Sequence, residues 1–212
     1  MFMFSRSVRL AAGHTRDSMG WAHEQTERVN RISGLTVALW QETMSPEPGR
    51  LSWSTFVTDL EELEGAEAKL AASDEYVSAI DAGASFYDGG ATDQLVQLVH
   101  GAPDPESGAR YATVVQASAA SGAAARSIEV GVRLAQRATE ITGHPTMFGR
   151  AVTGIYGGVG WITPAASLAE LQAAQDAMAG DAEWLRLIDE EAAGAYAEEP
   201  ALTTQRMYRR LL

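Results

Sequence analysis

Apolar and polar positions alternate from Met1 to Ala11. Phe2, Phe4, Val8 and Leu10 fall on one side, with Arg6 interrupting them, and this period of two predicts a strand. From about residue 14 to 33 the spacing becomes helical, with Met19, Ala22, Val29 and Ile32 near one face and Gly34 placed to close it. Leu35 to Thr43 returns to strand, Ser45-Pro46-Glu47-Pro48-Gly49 has the composition of a turn, and Arg50 to Val57 answers as the second arm of a hairpin. Thr58-Asp59-Leu60-Glu61 reads as a capping box opening a helix that carries Leu60, Leu63 and Leu70. A second helical piece begins near Ser73-Asp74 with Tyr76, Val77 and Ile80 on it. Gly89-Gly90 is expected to break the chain before a short apolar strand, Gln94 to His100.

The same order then returns. Arg110 to Ser118 reads as a strand, Ala123 to Thr142 as a helix closed by Gly143, and Thr146 to Thr153 as a strand. A Gly-rich turn follows at residues 154–160, with a strand from Val159 to Thr163. Ser167-Leu168-Ala169-Glu170 is a second capping box. It leads into a helix pair split at Gly180-Asp181, and Thr203 to Leu211 is the last strand. An offset of 109 pairs Gly13 with Gly122, Arg28 with Arg137 and Gly34 with Gly143; an offset of 108 pairs Trp53 with Trp161, Leu63 with Leu171 and Ile80 with Ile188. Matched positions at a fixed offset within one chain indicate duplication, with one residue lost in the second hairpin loop. The expected division is a first repeat over 1–101, a linker over 102–108 and a second repeat over 109–212.

Each half therefore reads β-α-β-β-α-β, the ferredoxin-like arrangement, in the α+β class. Helices cover one face of such a sheet. Val37, Leu39, Trp53, Leu95 and Val99 are expected on the other, which would need cover from a second sheet or from barrel closure. The element order, the Trp in the third strand of each half (Trp53, Trp161) and the split last helix with an aromatic at its second start (Tyr76, Trp184) resemble the dimeric α+β barrel superfamily. Its members include the antibiotic-biosynthesis monooxygenase-like, NIPSNAP-like and EthD-like proteins. The resemblance implies two tandem ferredoxin-like repeats forming an α+β barrel. In that superfamily two chains usually form the barrel, and the duplication could let a single chain do so.

Composition narrows the function classes. Among 212 residues, 16 Lys+Arg against 28 Asp+Glu give a formal net charge of −12. This argues against nucleic acid, whose phosphates need a positive surface, and against anionic membrane surfaces. There is no Cys, which removes disulfides, thiolate nucleophiles and Cys-based metal sites. No run of about 18 apolar residues exists. Arg6 and Arg9 fall where a secretory leader would be apolar, so a cytoplasmic protein is expected.

Candidate chemistry is sparse. The four His residues, His14, His23, His100 and His144, form no metal-binding motif. His14 and His23 lie nine residues apart on one helix, about 900° of turn, and face opposite sides, so no metal is expected. The glycines of residues 154–160 lack the Lys-Ser/Thr of a phosphate loop and join two strands. Arg6 and Arg150 interrupt apolar strand faces, where a charge needs a partner; each is either a paired structural charge or an anchor for an anionic or enolic ligand. Trp40, Trp53, Phe148 and Tyr156 are core aromatics or the walls of a pocket.

Within the resemblance, pockets lie between sheet and helices, and Asn30 in the first helix is of the kind the superfamily's oxygenases use. The expected site thus has His14 and Asn30 as catalytic groups and Arg6, Trp40, Trp53, Phe148, Arg150 and Tyr156 binding substrate. The first half is the expected location, since the second has Ala123, Val132 and Thr139 where the first has His14, His23 and Asn30. The function implied is a cofactor-independent monooxygenase-like or isomerase-like enzyme acting on a small apolar or aromatic molecule. A haem-dependent variant, with His100 or His14 as ligand, is the cofactor alternative. The other reading is a non-catalytic protein that binds a small apolar ligand or assembles as a homo-oligomer.

Overall fold

The structure, a computed structural model, describes residues 1–45 and 49–212. The turn expected at Ser45–Gly49 falls, at its three central residues, outside the described residues. The chain divides into two compact units, one formed by Met1–Leu95 with Arg210–Leu212 and the other by Val96–Arg209.

The first unit contains β1 (Phe2–Leu10), α1 (Thr15–Ser33), β2 (Ala38–Thr43), β3 (Arg50–Val57), α2 (Leu60–Ala71), α3 (Asp74–Gly83) and the start of β4 (Tyr87–His100). The second contains the end of β4, then β5 (Tyr111–Ser118), α4 (Ala124–Thr142), β6 (Met147–Ala151), β7 (Gly158–Ala165), α5 (Leu168–Gly180), α6 (Ala182–Arg186) and most of β8 (Thr204–Arg210). The expected β-α-β-β-α-β order is present in both. Hydrogen bonding links the strands as β1-β3-β2-β8-β5-β7-β6-β4, the strand order of a closed α+β barrel.

Several local signals act as the sequence predicts. Gly34 and Gly143 both adopt the left-handed conformation that ends a helix, φ 83° and 70°, with N–H groups donating to Asn30 O and Thr139 O. The Ser167 cap accepts from Glu170 N, and Glu170 reaches back to Ala166 N at 2.8 Å. Its counterpart sits one residue later than the sequence suggests. Asp59, not Thr58, is the cap and accepts from Glu62 N at 3.0 Å, while Glu62 accepts from Thr58 N at 2.9 Å. A carboxylate outcompetes the hydroxyl for this role, and the offset of 108 pairs Asp59 with Ser167 and Glu62 with Glu170. Gly89-Gly90 does not break the chain either, because β4 runs through both from Tyr87.

The expected division of the sheet faces needs correction. Leu39 and Arg6 both pair with Trp53 in the register of the first unit, so these side chains share one face. That face lies under α1, where Val8, Leu39 and Leu51 pack with Ala22 and Trp53. The opposite face of β1 and β3 is serine-rich, with Ser7 bonded to Ser52 and Trp40 donating to Ser54. Val99 is exposed near the register shift between Leu98 and His100.

The second unit repeats the packing with different volumes. Ala22 and Leu39 of the first correspond, at an offset of 109, to Gly131 and Phe148. Phe148 is fully buried against Ala117, Ala135 and Val159. A Cβ on Gly131 would lie 2.2 Å from its ring. One pair divides the space as small-plus-medium, the other as none-plus-large. Gly131→Ala should therefore overpack this core, at a typical cost of about 1–3 kcal/mol, against up to about 1 kcal/mol returned by helix propensity. A lower urea midpoint is expected for the single variant. Partial recovery is expected when Phe148→Leu restores the first unit's combination. An unchanged midpoint for Gly131→Ala would refute the packing.

Candidate functional site

Helix α1 is held to its sheet by an indole. Trp53 Nε1 donates to Thr26 Oγ1 at 2.8 Å, and Trp161 Nε1 of the second unit donates to Gly131 O at 2.9 Å. Both indoles are half-buried rather than fully enclosed. In the first unit the reason is a cavity of about 530 Å³ on which Trp53 borders, a size that suits a small molecule.

The cavity lies between the sheet, α1 and the α2–α3 pair. Strand β1 supplies Phe4, Arg6 and Val8, and α1 supplies Trp21, Gln25 and Val29. Helix α2 adds Leu63, Ala66 and Leu70, and α3 adds Tyr76 and Ile80. Exposed Glu67, Asp81, Gly89 and Gly90 also border it, so it opens to solvent there. Trp21 builds one wall. Its Nε1 donates to Ala79 O at 3.0 Å, its ring meets Trp53 edge-on at 6.0 Å, and Tyr87 lies 5.9 Å away. Gly83 has no side chain because a Cβ there would lie 2.2 Å from the Trp21 ring.

The polar groups at the cavity differ in how far they are already engaged. Arg6 Nε and Nη2 bond both oxygens of Asp93 on β4, at 2.7 and 2.6 Å. Those bonds hold the guanidinium's pKa further above its usual value. Gln25 is 3% exposed. Its Oε1 accepts from Arg28 Nη1, while its Nε2 has no partner among the described residues. Arg28 Nε in turn donates to Glu75 Oε1 at 3.1 Å, and Arg31 reaches the same oxygen at 2.6 Å. The bonds from Arg31 and Arg28 keep the Glu75 carboxyl below the usual carboxylate range.

Of the residues singled out from the sequence, Arg6 and Trp53 border this cavity, and the others do not. His14 is exposed at the start of α1, where its carbonyl accepts from Ser18. Asn30 is occupied by the fold: Oδ1 accepts from Val37 N at 2.7 Å and Nδ2 donates to Val37 O at 3.2 Å. Thr139 makes the equivalent brace, accepting from Thr146 N at 3.0 Å. Trp40 lies on the serine-rich face, with Arg210 stacked 5.9 Å from its ring. Phe148 is core in the second unit, Tyr156 is fully exposed, and Arg150 is exposed with Nε on Gln97 Oε1 at 2.9 Å. Neither His14 nor His100 is on the cavity wall. No group of three His, Asp or Glu able to hold a metal occurs among the described residues.

The residues missed are Trp21, Gln25, Tyr76 and Tyr87. A signal for two of them was present: Trp21 and Gln25 lie four apart, on one helix face, in the stripe that includes Ala22 and Val29. A Gln within a buried stripe marks a polar position that the core does not require.

The second unit has a smaller cavity, about 350 Å³, beside Leu171, Gln175 and Met207. The space next to Trp161 is instead filled by Phe148 at 5.1 Å and Tyr196 at 5.4 Å between ring centres. Tyr196 donates to Ser127 O at 2.8 Å, and burial raises the pKa of its phenol.

No protein-family model matches the chain, and no curated protein matches its sequence. Solved structures do share its fold. A candidate monooxygenase from Fusobacterium nucleatum subsp. nucleatum superposes with a TM-score of 0.72, covering 100% of this chain and 92% of that one at 6% identity. A candidate monooxygenase from Lactobacillus acidophilus gives 0.67, covering 99% and 93% at 10% identity. An anthrone oxidase-like protein gives 0.63, covering 100% and 91% at 11% identity. At such identities the likeness establishes architecture alone: this chain has the tandem ferredoxin-like α+β-barrel fold found in these proteins.

Proposed function

We propose that the protein takes a small, largely apolar, aromatic molecule into the cavity of its first unit and acts on it as a cofactor-independent monooxygenase-like enzyme. The observation carrying the binding half of this reading is the cavity itself: about 530 Å³, walled by Trp21, Trp53, Phe4 and Tyr87, with few polar groups. Apolar walls with a small number of placed donors are how ligand sites recognise flat, weakly polar molecules. The oxygenase half is supported by the fold shared with the candidate monooxygenases and the oxidase-like protein. A purely binding role is the second reading. It is favoured by the cavity's lining, which contains no His and so lacks the commonest proton-transfer side chain.

Anthrone separates the two readings. Oxidation by O2 would convert its methylene to a carbonyl, with one oxygen atom retained and the other released as water. Oxygen uptake above the protein-free rate, with anthraquinone as product, is expected for an enzyme. Saturable quenching of tryptophan emission without uptake would leave only binding. Absence of both would overturn the proposal for this class of ligand.

Ala66 tests the location. It is buried on α2 and borders the cavity, so Ala66→Phe should fill the space and weaken aromatic-ligand binding by roughly tenfold or more. Circular dichroism should show the helices retained. Unchanged affinity in a folded variant would place the ligand elsewhere.

A further inference from the structure

We infer that Gln25 is the specificity-determining residue of this cavity, and that the preferred ligand carries a hydrogen-bond acceptor oxygen, of the ring-ketone kind, on its otherwise apolar skeleton. The inference rests on the reading of the cavity as a ligand site.

The direction of the amide follows from its neighbour. Arg28 can only donate, so the Gln25 atom facing it is the oxygen. The nitrogen is thereby left for the other side, with no partner among the described residues. Arg28 is itself held by Glu75 of α3, which fixes the amide against flipping. The result is an oriented, buried donor on a residue that borders the cavity, one helical turn from Trp21. A buried donor without an acceptor is costly, and a ligand oxygen at this point would remove the cost. A ring beside Trp21 and Trp53 with its oxygen toward α1 satisfies both kinds of wall at once.

The second unit shows that the fold does not need this amide. At an offset of 109 from Gln25 stands Leu134, buried against Val130, Leu187 and Ala195. The arginine of the pair is nevertheless retained: Arg137 corresponds to Arg28 and bonds Asp181 at 3.1 and 2.5 Å. Clasping the first helix of the repeat to its split last helix therefore belongs to both halves. Burying an unpartnered glutamine amide beside a cavity belongs to one.

The test compares 1-tetralone with tetralin, which share a bicyclic skeleton and differ by the carbonyl. Calorimetric titration of the full chain should show 1-tetralone binding on the order of tenfold more tightly than tetralin. In Gln25→Leu, which installs the second unit's residue, that ratio should collapse toward one, with tetralin binding retained or improved. Gln25→Met serves the same purpose if the leucine variant does not fold. Equal affinities in the unaltered protein, or a ratio that survives both substitutions, would overturn the role of Gln25 while leaving the cavity as a ligand site. If neither compound binds the unaltered protein, the cavity reading itself falls.

Discussion

The indole of the third strand sets the geometry of each repeat. Trp53 and Trp161 each pass a hydrogen bond from the sheet to the first helix of their half. A bond of this kind contributes only about 0.5–1.5 kcal/mol net. Its larger effect is steric. A ring this wide between sheet and helix props them apart, and the opened volume must be filled or left as a cavity. In the second unit Phe148 and Tyr196 fill it from two sides, and Gly131 yields room for the Phe148 ring. In the first unit Leu39 and Ala22 take the corresponding positions and fill less. Trp21 leans away onto Gly83 and Ala79, and space remains. The same scaffold constraint thus yields a core in one place and a binding-sized cavity in another.

Much of the fold was legible because it depends on local signals that the duplication states twice. Period-two strands, helix-ending glycines at 34 and 143, and the paired tryptophans needed no long-range information. The errors arose where two local signals competed. Thr58 and Asp59 are both plausible caps, and only the geometry shows the carboxylate taking the amide. The sheet faces were misassigned because an alternating strand does not state which of its faces meets the helix. Serines at 5, 7, 52 and 54 mark the other face, and the weight given to Leu39 and Trp53 obscured them.

The site was less legible for a related reason. Sequence reading selects residues by chemical type, whereas the cavity is defined by which groups the fold leaves unspent. Asn30 has the functional groups of a catalytic amide but uses both on Val37. Thr139 performs a similar task with a hydroxyl, which marks the position as a brace. Arg6 does border the cavity, but two of its donors are committed to Asp93, so an anionic ligand would have to displace a carboxylate already in bidentate contact. Tyr156 and His14, attractive by type, face solvent.

Duplication makes such divergence physically easy. A single repeat that empties its core to admit a ligand loses packing that nothing nearby restores. A chain with two repeats can confine the loss to one of them. The second unit packs Val130 and Leu134 against Leu187 and Ala195, where the first has Trp21 and Gln25 beside open space. The arginine-to-acid clasp survives in both, since it ties helices together regardless of what lies beneath them. Residues shared by the halves at a constant offset therefore report on folding. Positions where buried leucine faces buried glutamine, or tryptophan faces valine, report on what the first half acquired or the second gave up. Within one duplicated chain, the second half is the control against which a functional residue of the first can be recognised.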